Sequence, residues 1–369
     1  MTSAKEASPD APPDRATRRR KAGLISTLVG AAAAGVAAGV TAERLLLRRR
    51  RRSTDRDPHH DEPFGELPAD EYRTVLTDEG IPLHVEIVGD RAAPLTVVFS
   101  HGFCLDMGTF QFQRTALAEL GGVRLVCYDQ PGHGRSGRLD KGEYTVDLLG
   151  AALRRVIEET TPDGRIVLVG HSMGGMAIMA MADRFPDMFR PDGPVAGVVL
   201  ISTSAGELSG VTFGMPQVLV RFRKPLLPLI SGAGWVTAGM LDRAREASTD
   251  LAWLLTRRYG FGSGKPSPSL VSFVERMNSA TRTESVARYL RALYSHDKVM
   301  ALGAFNEVPV LVICGDEDLL TPVEHSEEIC RTLPHADLVV IPNGGHVALL
   351  EYSEAVNAVL VPFVRKFLR

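Results

Sequence analysis

Ser172 stands in Gly-His-Ser-Met-Gly (Gly170–Gly174), with a glycine two residues away on either side. The aliphatic run Arg165–Gly170 leads into it, and an alanine- and methionine-rich segment of helical spacing follows. A buried strand that turns sharply into a helix can hold a serine hydroxyl clear of the sheet. Glycines are needed there because a Cβ beside the strained serine would strike strand or helix. Near pH 7 such a hydroxyl is a poor nucleophile until a base takes its proton. The chemistry therefore calls for an imidazole, a carboxylate to orient it, and N–H groups to receive a developing oxyanion.

Each of these helpers stands at the end of an aliphatic run. His346 closes "NGGH" (Asn343–His346) after the run Ala336–Pro342, and is the candidate base. Asp318 closes "GDED" (Gly315–Asp318) after Val308–Gly315, and is the candidate acid. Asp316 is its rival, disfavoured because it comes too early in the turn. Backbone N–H groups for an oxyanion hole are expected from Phe103, in "HGF" (His101–Phe103), and from Met173, the residue after Ser172. His101, His133 and His171 read as structural, and Asp129 as a tie for its own loop. Cys104 lies beside the oxyanion turn, yet no base is evident for it.

These turns must be brought together by the elements that carry them. The runs Leu95–Ser100, Val123–Asp129, Arg165–Gly170, Val195–Ser202, Val308–Gly315 and Ala336–Pro342 are aliphatic without polar alternation, as strands covered on both faces must be. Most are separated by helical segments such as Phe112–Leu120 and Asp147–Glu159, and this alternation predicts a mostly parallel, doubly wound α/β sheet. A two-stranded hairpin, Tyr72–Thr77 and Ile81–Gly89, precedes them. In such a sheet the carboxyl ends of the strands open onto one crevice, so the three turns can meet. About a hundred residues separate the sixth and seventh strands, too many for a structureless loop. They contain Phe222, Trp235, Trp253, Tyr259, Phe261, Phe273 and Tyr289, and an inserted helical cap is expected. The resulting division is a basic arm at 1–62, core at 63–206, cap at 207–300 and core again at 301–369.

The chain order Ser172, Asp318, His346 and the context of each resemble the α/β-hydrolase fold superfamily over about residues 70–369. Two further stretches share its patterns: Tyr128–Gly137, like the Asp-x-x-Gly-x-Gly-x-Ser loop after the fourth strand, and Gly315–Pro322, like the late Gly-x-x-Asp-x-x-x-Pro pattern. The resemblance implies a Ser-His-Asp serine hydrolase, carboxylesterase- or lipase-like, that cleaves carboxylic esters or thioesters through an acyl-enzyme. It implies no metal and no organic cofactor. Epoxide hydrolases and haloalkane dehalogenases of this fold carry aspartate where Ser172 stands. A thioesterase, transacylase, carbon–carbon bond hydrolase or cofactor-free perhydrolase can share the same triad, and a non-catalytic ligand-binding or scaffold protein can share the fold.

The composition is that of a globular chain: 369 residues, 44% hydrophobic and 23% charged, with a net charge of −2. Basic excess is confined to the amino-terminal arm and the remainder is acidic, so nucleic acid is not an expected partner. A small-molecule ester or acyl substrate is, and the apolar insertion leans towards lipid-derived ones; oligomeric state is left open. The four cysteines, Cys104, Cys127, Cys314 and Cys330, have no paired spacing and read as free thiols. From Ala22 to Ala42 no residue is charged, and as a helix this stretch would reach about 31 Å, enough to cross a bilayer core. Membrane association through this helix is therefore expected, with a cleavable signal before Glu43 as the alternative. Arginines on both flanks give no orientation. The stretch from Ser53 to Ala69, including His59-His60, reads as a polar linker.

Overall fold

The computed structural model describes residues 57–161, 163–208, 249–262 and 264–368, all within the unit Asp57–Arg369. Eight strands build one sheet: β1 (Glu71–Leu76), β2 (Pro82–Val88), β3 (Leu95–Ser100), β4 (Val123–Tyr128), β5 (Arg165–His171), β6 (Val195–Ile201), β7 (Val310–Gly315) and β8 (Asp337–Ile341). Their order is β1-β2-β4-β3-β5-β6-β7-β8. The β1–β2 hairpin is antiparallel, with Tyr72 opposite Glu86, and β2 is antiparallel to β4. From β4 onward every neighbouring pair is parallel.

The helices are α1 (Gln111–Ala118), α2 (Val146–Thr160), α3 (Met173–Arg184), α4 (Thr249–Gly260), α5 (Pro268–Ala280), α6 (Thr283–Tyr294), α7 (Val323–Thr332), α8 (Ala348–Glu351) and α9 (Ser353–Arg365). Every position of β3, β4 and β7 is buried, which explains the unbroken aliphatic runs. Successive side chains go to opposite faces. Val97, Phe99, Val167, Val169 and Ile201 join Leu117 of α1 and Leu360 of α9 in one core. Val98, Val126, Leu168, Val198 and Leu200 join Leu153 of α2 and Ile178 of α3 in the other. This is the expected doubly wound α/β fold.

Between β6 and β7 the chain leaves the sheet and forms α4, α5 and α6. Residues 209–248 of this insertion lie outside the described residues, and with them Phe222 and Trp235. The other insertion aromatics serve mainly as structure. Phe261 and Phe273 are buried, the Trp253 Nε1–H donates to Ser272 Oγ at 3.2 Å, and the Tyr289 hydroxyl donates to the Pro131 carbonyl at 2.8 Å.

Two expectations need correction. Residues read as linker instead pack on the body from Asp57 onward. The Asp57 carboxylate accepts from the Ser269 N–H at 2.9 Å, Gln111 donates to Glu62 at 2.9 Å, and Phe64 stacks on Phe273 with ring centroids 4.6 Å apart. One phenylalanine in a polar, proline-containing stretch leaves no periodic signal, so the packing was not visible in the chain. The second correction concerns localisation. Among the described residues no helix is long and apolar enough to cross a membrane. The longest, α2, has 15 residues and would reach only about 22 Å against a core of about 30 Å. Residues 22–42, on which the expected membrane helix was placed, lie outside the described residues. The membrane-associated reading is not upheld. All four cysteines are unbridged, Cys127 and Cys314 buried and Cys104 and Cys330 half-buried.

Candidate active site

The turn from β5 into α3 carries Ser172 at φ 51°, ψ −117°, a conformation a non-glycine residue seldom adopts. Holding it costs about 1–3 kcal/mol, which the surroundings must offset. Ser172 N–H donates to the Ile201 carbonyl at 2.9 Å, and Thr203 Oγ–H donates to the Ser172 carbonyl at 2.7 Å. The flanking glycines are needed for close approach. A Cβ on Gly174 would fall 1.8 Å from the Ser100 carbonyl oxygen, and one on Gly170 would fall 2.7 Å from the Gly174 backbone.

His346 and Asp318 reach this serine from the turns after β8 and β7. His346 Nε2 lies 2.9 Å from Ser172 Oγ, and His346 Nδ1 lies 2.8 Å from Asp318 Oδ2. With Nδ1 facing a carboxylate, the proton belongs on Nδ1, and Nε2 is left to accept from the Ser172 hydroxyl. Asp318 is 4% exposed. Burial works to raise its pKa, but the charge and hydrogen bond of His346, with N–H donors from Thr321 and Leu320, outweigh this and hold the carboxyl below its ordinary range. Asp316, the rival, is exposed and its backbone N–H bonds the Ile341 carbonyl. Only Asp318 meets the imidazole.

Phe103 and Met173 both border this centre. Met173 is the first residue of α3, so its N–H has no acceptor within the helix. Phe103 lies in the turn after β3, beside Cys104 at φ 58°. His101 braces that turn: the Gln130 N–H donates to its Nε2 at 2.8 Å, and Nδ1–H donates to the Gly102 carbonyl at 2.8 Å. Burial pushes the His101 pKa down to about 4, so the ring stays neutral and keeps both bonds. Asp129 accepts from the Met107 and Arg135 N–H groups at 3.0 and 2.8 Å and ties its loop. Above Ser172 and His346 opens a cavity of about 890 Å³, walled by α4, α5 and α6 through Leu255, Tyr259, Val274, Val286 and Leu290.

A model of the alpha/beta hydrolase fold family matches residues 96–352. The chain belongs to this family. Relatives of this α/β hydrolase include the dihydrolipoyllysine-residue acetyltransferase component of the acetoin cleaving system of Pseudomonas putida, 27% identical over 287 residues, 76% of this chain. The chain spans 66% of the length of that relative. The 3-oxoadipate enol-lactonase 2 of Acinetobacter baylyi is 22% identical over 303 residues, 82% of this chain and 100% of that protein. Among solved structures, a thermophilic esterase from Thermogutta terrifontis superposes with a TM-score of 0.63 at 24% identity, covering 81% of this chain and 100% of that one. That likeness is one of fold.

Two residues of the α/β hydrolase that were not singled out from the chain, Thr321 and Glu351, bear on the site, and so does His171. Thr321 Oγ–H donates to Asp318 Oδ2 at 2.9 Å, three residues on from the acid, a spacing at which a hydroxyl commonly turns back on a carboxylate. Glu351 accepts from the Gly345 N–H at 2.9 Å and the Gly262 N–H at 3.0 Å, fastening the His346 turn to the chain just after α4. Gly262 is 89 residues away in sequence, so no local signal could reveal this. His171 donates from Nε2 to the His346 carbonyl at 2.9 Å, and burial, then the neighbouring His346, push its pKa down to about 3. It was read as structural; its bond falls on the backbone of the candidate base.

Proposed function

We propose that this α/β hydrolase is a serine hydrolase that cleaves carboxylic esters or thioesters through an acyl-enzyme. The observation that carries the reading is the unbroken relay from Ser172 Oγ to His346 Nε2 at 2.9 Å and from His346 Nδ1 to Asp318 at 2.8 Å. In this reading Ser172 Oγ attacks the carbonyl carbon as its proton passes to His346 Nε2. Asp318 keeps the ring oriented and stabilises the imidazolium. The N–H groups of Phe103 and Met173 receive the oxyanion. His346 then gives the proton to the departing alcohol or thiol, and water, activated by the same nitrogen, releases the acid. The helices α4–α6 act as a cap, part of a division into core at 63–206 and 301–369 and cap at 207–300. The cap side chains hold the acyl portion, with lipid-derived esters among the candidates. A relative named as an enol-lactonase, matched over its whole length, supports the reading.

A fluorophosphonate probe tests the reading. It is expected to attach once per chain, within minutes, on the peptide that contains Ser172. Attachment elsewhere, or none in excess probe over hours, rejects an activated Ser172.

A further inference from the structure

We propose that the site selects uncharged esters, discriminating against any substrate that carries a carboxylate or another ion on the portion entering the cavity. This rests on the ester-hydrolase reading above and narrows its substrate class. The cavity, at about 890 Å³, is near the upper end of the range for small-molecule sites. Among the described residues that line it, none is Lys, Arg, Asp or Glu. Its polar spots away from the reacting centre are neutral. One is the pair Thr256 and Asn278 at the α4–α5 crossing, where Asn278 Nδ2 donates to Thr256 Oγ1 at 3.0 Å.

Cations do occur around the cap helices; Arg257, half-buried on α4, is not among the residues that line the cavity, and the others are directed elsewhere. Arg276 stands over the Phe273 ring at 5.6 Å. Arg288 donates to the Leu139 carbonyl at 2.8 Å and also to that of Gly142, and Arg291 pairs with exposed Glu143. Arg258, Lys265 and Arg282 are exposed to solvent. Behind the reacting end the fixed charges are acids: Asp318 beneath His346, and Glu351 holding Gly345. An anion drawn into the cavity would therefore lose its water, find no counter-charge in the described wall and approach carboxylates. A buried ion without a partner is strongly disfavoured. A neutral chain meets aliphatic walls and loses only its hydration, which favours burial.

Three 4-nitrophenyl esters with eight-carbon acyl groups test this: the octanoate, the mono-ester of suberic acid, and the same suberate with its far carboxyl methylated. The ionised carboxylate lies too far from the scissile carbonyl to change its reactivity through bonds. The expected kcat/KM for the suberate mono-ester is on the order of 100-fold below that for the octanoate, and methylation restores it to within about tenfold. A carboxylate penalty smaller than tenfold overturns the inference. So does a methylated suberate as poor as the acid, since length or polarity and not charge would then be selected. If none of the three is cleaved, the ester-hydrolase reading itself fails, and the inference with it.

Discussion

Replacing Ser172 with alanine is expected to lower kcat on a short-chain 4-nitrophenyl ester by on the order of 10⁴–10⁶-fold. The hydroxyl that accepts the acyl group is removed, and among the described residues no other hydroxyl bonds His346 Nε2. The fold has little reason to change. The backbone at φ 51° is held by bonds of the Ser172 N–H and carbonyl, which alanine keeps. Far-ultraviolet circular dichroism and the thermal midpoint should therefore match the parent within a few degrees. A folded variant with activity within tenfold of the parent would remove Ser172 from the role of nucleophile. The residual rate over water, left by the oxyanion donors and the cavity, should persist.

Asp318→Asn comes second, at about 10⁴-fold in kcat. An asparagine of the same shape can still meet His346 Nδ1, but its amide N–H favours the wrong ring tautomer, and it cannot stabilise the imidazolium. Buried Asp318 takes four hydrogen bonds, from Leu320 N–H, Thr321 N–H, Thr321 Oγ–H and His346. All four partners are arranged as donors to a carboxylate. Asp316→Asn should change kcat less than threefold, because the Asp316 side chain faces solvent. The comparison of the two variants on one ester checks both statements. A reversed order of severity would make Asp316 the acid.

The parts of this molecule that were legible in the chain are those written locally. A buried parallel strand leaves an unbroken aliphatic run, and the runs closing at Gly170, Gly315 and Pro342 lead into the turns that carry Ser172, Asp318 and His346. The hairpin was legible to within a residue at each end from another local pattern, since β1 alternates exposed positions with half-buried or buried ones. Features set by distant partners were not legible. Neither the sheet order nor the clamp between Glu351 and Gly262 has a local signature, because each joins segments far apart in sequence. The stretch Asp57–Pro68 was misread because two of its rings, Phe64 and His59, find Phe273 and Phe112 only in the folded chain. The apolar stretch at 22–42 shows the opposite hazard: length and lack of charge are necessary for crossing a bilayer but do not establish it.

The acyl-enzyme is the claim on which the account turns, and its mass is the direct measurement. The protein is mixed with a 4-nitrophenyl ester, quenched in acid during the first turnover, and weighed intact and after digestion. The account predicts a burst approaching one nitrophenolate per chain and a mass gain equal to the acyl group on the peptide containing Ser172. Ester turnover with no adduct on that peptide, or with the acyl group on half-buried Cys104 at the rim of the same cavity, would contradict it.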